Sequence, residues 1–251
     1  MPEAFGLLIA AEFPLWSTLT LGFVLGLRHA LDADHLAAVS TFVSEEKSLL
    51  RSSLIGVSWG MGHTASLLVF GLAVAAFRLV LTPRFSQLLE FVVGCMLIAL
   101  GLNVLLKLAR GSALHAHAHE HDGVEHKHLH VHVAENRHEH EHQHQHRTLR
   151  LGGRPFMVGI VHGLAGTAGL MMLVVGALPS LLLAAAYILI FGAGSIGGMM
   201  VMSVLMTVPL ALAAQRLRLL ERVIRLAAGL FSLGFGGYLT WEVGLIQSLV
   251  G

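Results

Sequence analysis

The sequence predicts an all-α integral membrane protein of six transmembrane helices, built as a 3+3 inverted-topology repeat. Three observations predict it. Of 251 residues, 55% are hydrophobic and only 12% charged, with a mean hydropathy of +0.74, far from the soluble globular average. Apolar stretches long enough to cross a bilayer, which takes about 20 helical residues, run at about 15–39, 53–79, 86–108, 155–178, 180–210 and 221–247. Matched motifs recur, in the same order, in the first three stretches and the last three.

The N-terminus, MPEAFGLLIAAEFPLW, lacks a basic region and carries Glu3 and Glu12, so the first stretch is expected to stay rather than be cleaved as a leader. Pro14, Pro83, Pro155 and Pro179 sit at or near predicted span starts or in the turns between spans, where a missing amide hydrogen matters least. Lysines and arginines set the orientation. Lys47, Arg51, Lys107, Arg110, Lys127, Arg137, Arg147, Arg150, Arg154, Arg216, Arg218, Arg222 and Arg225 fall on one side, against Arg78 and Arg84 on the other. The positive-inside rule makes the richer side cytoplasmic and puts both termini outside. Cys95 stands alone, so no disulfide forms within the chain.

Residues 1–109 thus form the first membrane repeat and 154–251 the second. Between them lies a hydrophilic insert, 110–153, with thirteen of the seventeen histidines: His115, His117, His119, His121, His126, His128, His130, His132, His138, His140, His142, His144 and His146. It is expected to be cytoplasmic and disordered without metal, having too little apolar content to offset the entropy of ordering. Histidines at alternating positions let a flexible chain wrap two or more imidazoles around nickel, cobalt, zinc or copper.

With the insert removed, GLRHALDAD at 26–34 aligns with GIVHGLAGT at 159–167. Trp59-Gly60-Met61-Gly62-His63 aligns with Phe191-Gly192-Ala193-Gly194-Ser195, and Leu88-Leu89-Glu90, Gly94 and Gly101 align with Leu219-Leu220-Glu221, Gly229 and Gly236. Three spans per repeat is an odd number, so the second half enters the membrane inverted. That plan places a site near the midplane between the halves. Asp32 and Asp34 correspond to Ala165 and Thr167, and His63 to Ser195, so most ligands belong to the first half.

The ligand-rich stretch is Arg28-His29-Ala30-Leu31-Asp32-Ala33-Asp34-His35, set between apolar flanks. Ionisable groups at membrane depth are expensive unless they pair, line a cavity or bind an ion. On a regular helix His29, Asp32 and His35 share a face and Asp34 points elsewhere, so either the helix is unwound here or the ligands serve successive positions of a moving ion. His63 in WGMGHT reaches a similar depth on the second span. The candidate metal ligands are His29, Asp32, Asp34, His35 and His63, with His162, Ser195 and Thr167 as gate or second-half ligands and Arg28 as charge partner. Imidazole with carboxylate suits nickel, cobalt or zinc rather than magnesium or calcium, and the lack of thiolate disfavours copper(I).

RHALDADH resembles the nickel/cobalt transporter family, whose signature of a histidine, four residues, then Asp-His is filled by His29, Asp34 and His35. Gly62-His63-Thr64 matches the family's second-helix pattern. The resemblance spans about 15–247. It implies secondary transport of nickel or cobalt, with the signature residues selecting the ion. The best-known members have eight spans and a later Asp-Thr-rich motif; this chain has six and Gly166-Thr167-Ala168-Gly169, and looks more like the shorter branch encoded beside urease or nickel-enzyme genes.

The expected function is nickel uptake, with cobalt as a second cargo, across a prokaryotic inner membrane. The expected partners are membrane lipid, the divalent ion as substrate and cytoplasmic nickel metallochaperones; no nucleic acid and no resident cofactor are expected. Export by the same family is the alternative. A metal-storage or receptor subunit and an intramembrane metalloenzyme are more distant, since the chain has no HExxH and no GxxxxGKS/T.

Overall fold

Asp32 interrupts the first apolar stretch and makes two half-helices of it. The computed structural model describes residues 15–44, 46–78, 82–110, 115–121, 124–130, 147–165, 178, 180–216 and 218–250. Helix α1 is Leu15–His29 and α2 is Ala33–Val43. Between them the Leu31 and Asp32 amides donate to the Arg28 and His29 carbonyls at 2.9 and 3.1 Å, closing α1 with tight i→i−3 turns. Asp32 is extended (φ −63°, ψ 147°) and its carbonyl accepts from the Leu36 amide at 3.0 Å, starting α2. Aspartate is a preferred residue at such a start. Of the two geometries the sequence leaves open, an unwound first helix is the one found.

Helix α3 (Leu49–Phe77) starts with Ser48 accepting from the Arg51 amide and stops at Arg78 in the left-handed region, φ 49°. Helix α4 (Pro83–Ala109) begins on Thr82, with Pro83 in its first turn where no amide is needed. Helices α5 (Arg147–Ala165), α6 (Leu181–Arg216) and α7 (Arg218–Val250) complete the described set. Helix α5 starts eight residues before the predicted span and carries Pro155 inside it; the remainder of that span, 166–177, lies outside the described residues.

Among the described residues, the apolar stretches are helical. Four segments, α3, α4, Leu181–Leu212 of α6 and Leu219–Gly244 of α7, are long and apolar enough to cross a membrane. Trp16, Leu50, Val69, Phe77, Leu182 and Trp241 are each at least two-thirds exposed. An aqueous surface rarely carries so much bare apolar area, whereas lipid accepts it.

Inside, small residues let backbones meet. A Cβ at Gly26 of α1 would overlap the Phe191 carbonyl oxygen of α6, and one at Gly159 of α5 would overlap the Trp59 carbonyl oxygen of α3. Likewise Gly62 meets Phe156 and Gly194 meets Phe23, backbone to side-chain-free backbone. Between α4 and α7, Gly94 lies against Gly236 and Gly101 against Gly229. Buried hydroxyls close the remaining gaps: Thr207 donates to Ser52 at 2.7 Å, and Ser232 to the Leu97 carbonyl at 2.8 Å. At the end of the bundle, Glu221 holds both Lys47 and Arg225.

In the insert, β1 (His115–His121) pairs antiparallel with β2 (Val124–His130), an element the composition did not suggest. The register sets His115 opposite His130, His117 opposite His128 and His119 opposite His126. Alternation of histidine with other residues matches the two-residue period of a strand. His132, His138, His140, His142, His144 and His146 lie outside the described residues.

Candidate metal centre

Four helix segments converge on the α1–α2 break. His29 is the last residue of α1, Asp34 and His35 lie in the first turn of α2, His63 is midway along α3, and His162 is near the end of α5. All four rings are buried: His29 is 5% exposed and His35, His63 and His162 are 0%. The break makes this possible. A continuous helix would turn Asp34 away, whereas restarting at Ala33 brings Asp34 and His35 back toward His29.

A carboxylate oxygen accepts and does not donate, so the ring nitrogens facing the aspartates carry the protons. His29 Nδ1 donates to Asp32 Oδ2 at 2.8 Å, and His35 Nδ1 donates to Asp34 Oδ1 at 3.0 Å. His162 Nε2 donates to Asp34 Oδ2 at 2.9 Å, and the His35 amide also donates to Asp34 Oδ1, at 2.9 Å. In neutral His29 and His35 the lone pair then sits on Nε2. Metal-binding histidines are commonly oriented in this way, by a carboxylate on the other nitrogen.

The ring nitrogens turned away from the aspartates gather. His29 Nε2 and His63 Nε2 stand 3.2 Å apart, a separation suited to two nitrogens on one cation at bond lengths of about 2.0–2.1 Å. His35 Nε2, His63 Nδ1 and His162 Nδ1 are buried without a hydrogen-bond partner. Two three-residue groups, His29–His35–His63 and Asp34–His35–His162, each bring their ligand atoms within 4.8 Å of one another. Both contain His35, whose ring centroid is 4.3 Å from that of His29 and 4.1 Å from that of His162. Nitrogen with a little oxygen and no sulfur is a donor set for borderline divalent ions.

Helix ends supply matching charge. His29 stands at the C-terminal, partially negative end of α1, which favours a cation, and Asp34 at the N-terminal, partially positive end of α2, which favours a carboxylate.

Residues 15–214 match the family described as high-affinity nickel-transport protein, NicO. The chain belongs to this family. It is 36% identical over 243 residues to the urease accessory protein UreH of Bacillus sp. (strain TB-90), covering 95% of this chain and 96% of that protein. It is 26% identical over 201 residues to the chloroplast protein FOR GROWTH AND FERTILITY 1 of Arabidopsis thaliana, covering 78% of this chain and 51% of that one. No solved structure matches. The family is one of transport proteins, so this NicO member is a nickel-transport-family, multi-pass membrane protein rather than a member of an enzyme family.

Within this NicO chain, His29, Asp34, His35 and His63 come together as the sequence brackets them, and His162 joins them from the second half. Asp32 belongs to neither three-residue group; it stands behind His29. Ser195 is buried and donates to the Gly26 carbonyl at 3.2 Å. Arg28 is exposed and forms no ion pair among the described residues, and Thr167 lies outside them. Two wall residues were not picked out by the sequence reading: Trp59, with its ring 5.2 Å from His35, and Phe191, 5.5 Å from His29. Their signal was present, since they are the aromatic first letters of the two aligned motifs, Trp-Gly-Met-Gly-His and Phe-Gly-Ala-Gly-Ser.

Proposed function

We infer that this NicO member takes up nickel, with cobalt as a second cargo, across a prokaryotic inner membrane as a secondary transporter. One observation carries the reading: three buried imidazoles, His29, His35 and His63, present ligand atoms to a common point, and two of them have the opposite nitrogen held by an aspartate. Membership of a nickel-transport family and the likeness to a urease accessory protein support nickel as the cargo and a cytoplasmic consumer as its destination.

The 3+3 inverted repeat belongs to the same proposal, and the glycine contacts support it. Gly26 against Phe191 and Ser195 is the repeat image of Gly159 against Trp59 and His63. Gly62 against Phe156 is the image of Gly194 against Phe23, and Gly94–Gly236 is the image of Gly101–Gly229. A two-fold relation between halves produces such reciprocal contacts, residue i on j and the counterpart of i on that of j. Alternating access by rocking of the two halves then exposes the buried cluster to either side. Both termini face outside. The histidine insert faces the cytoplasm, where it buffers arriving ions and passes them to metallochaperones.

Radioactive nickel uptake by cells expressing the protein tests this. His29→Ala and Asp34→Ala are each expected to lower uptake at least about tenfold at normal expression, since loss even of outer groups at metal sites has that effect. Uptake equal to wild type in both would reject it. The rival direction, export, rests on the histidine insert as an intracellular collector; growth in external nickel separates the two, expression sensitising cells if the protein imports and protecting them if it exports.

A further inference from the structure

Resting on the transport reading, we propose that the cluster holds two successive cation positions that share His35. The first is His29–His35–His63, and the second is Asp34–His35–His162. Asp34 changes role between them, orienting His35 in the first and ligating the ion in the second.

His35 is suited to both. It lies between the other rings, 4.3 Å from His29 and 5.3 Å from His63 on one hand and 4.1 Å from His162 on the other, while His63 and His162 are 6.2 Å apart. Its Nδ1 is on Asp34, which also holds His162, and its buried Nε2 has no partner. The first position is spanned by one hydrogen bond, His63 Nε2 to His29 Nε2 at 3.2 Å, beside the unpartnered Nε2 of His35. The second is closed by its own hydrogen bonds, because Asp34 is taken up by the His35 amide, His35 Nδ1 and His162 Nε2.

Transfer is a ligand exchange without redox change. The ion gives up His29 and His63 and gains Asp34 and His162. For His35 to ligate through Nδ1, that nitrogen must lose its proton, and Nε2, released by the ion, takes one. His162 likewise moves its proton from Nε2 to the unpartnered Nδ1. No net proton is gained or lost. Two divalent ions do not occupy the positions together, because both need the same imidazole at close range and repel each other. The second position draws ligands from both halves, Asp34 from α2 and His162 from α5, so it can form and dissolve as the halves rock. The first depends on α1, α2 and α3 alone.

The test uses the full-length chain in detergent with its thirteen insert histidines changed to glutamine, so that nickel bound at the cluster is read without theirs, and the chain with its native insert in liposomes for uptake. His162→Gln retains an amide donor for Asp34, and His63→Gln retains polarity inside α3; a single symmetric gel-filtration peak is required of each. Equilibrium dialysis with nickel alone and X-ray absorption are expected to show one ion per chain in each variant, ligated by imidazole in His162→Gln and by imidazole plus carboxylate in His63→Gln. Uptake falls at least about tenfold in both, the scale on which lost metal-site groups act, and the double variant loses binding. The proposal is overturned if His162→Gln transports as wild type, or if either single variant alone abolishes binding, which would mean one position. Absence of uptake by the wild-type chain would sink the transport reading instead and leave the binding arms to be judged by themselves.

Discussion

The histidines of this chain form two populations that share a side chain and little else. Four, His29, His35, His63 and His162, are at most 5% exposed and belong to one cluster. Thirteen are spaced through the insert, mostly at alternating positions. In the cluster, neighbours decide what each ring can do: Asp32 and Asp34 fix which nitrogen of His29 and His35 carries the lone pair, and surrounding helices fix where it points. In the insert, spacing alone supplies capacity, since two imidazoles within reach chelate any borderline divalent ion. On the proposed function the first population selects and the second stores.

His35→Ala should give the largest effect, because it removes the ring common to both three-residue groups. Uptake is expected to drop by about a hundredfold or more, the upper end for losses at metal sites, measured as initial nickel flux in liposomes. No single insert histidine should approach this. A residual flux comparable with that of an insert variant would erase the distinction between the populations.

Next come the glycines that bring the cluster together. Gly159→Ala drives a methyl into the Trp59 backbone, one turn from His63, and Gly26→Ala drives one into that of Phe191. Overpacking of this kind costs about 1–3 kcal/mol, seen as a lower melting temperature of the detergent-purified chain, with uptake reduced in parallel. If the halves are related as proposed, the two substitutions lower stability by similar amounts. A large loss in one and none in the other would break the relation.

These glycines show what was legible in the sequence. Apolar stretches matched the limits of α3, α4, α6 and α7 to within a few residues at most ends, because a helix in lipid must be about as long as the bilayer is thick. Gly26, Gly62, Gly159 and Gly194 stood out because backbone contact excludes a side chain. His29, Asp34, His35 and His63 were readable as a group since polar residues at membrane depth need a reason. The role of Asp32 was not readable. Spacing puts it on a helix face with His29 and His35; the chain break sets its Oδ2 against His29 Nδ1. Nor was the pairing of His162 with Asp34 readable, since it depends on how two distant segments pack. The early start of α5 was hidden by the arginines and glycines before Pro155, which break the hydropathy signal without breaking the helix.

Asp32→Asn sharpens that point with a smaller effect. The amide keeps a hydrogen bond to His29 while removing the charge that orients it, so nickel affinity at the cluster is expected to fall about tenfold with the fold intact. Equilibrium dialysis on the chain with a glutamine-substituted insert reads it. A loss as large as that of His35→Ala would make Asp32 a direct ligand.

The insert variant should disturb flux least. Changing the thirteen histidines to glutamine leaves every residue of the buried cluster in place, so the initial rate into liposomes should fall less than in Asp32→Asn. Retention of nickel by cells during washout should fall more, because, with the insert on the cytoplasmic side as proposed, ions delivered there lose a chelating surface. The backbone register makes a finer prediction. His117 is the register partner of His128 in the β1–β2 ribbon, so a substitution at either position breaks the same cross-strand pair. His117→Gln and His128→Gln should therefore lose similar amounts of bound nickel, and the double variant little more than either alone. A double variant that loses the sum of the two would mean that the insert chelates by composition alone and that the ribbon register is irrelevant to its metal binding.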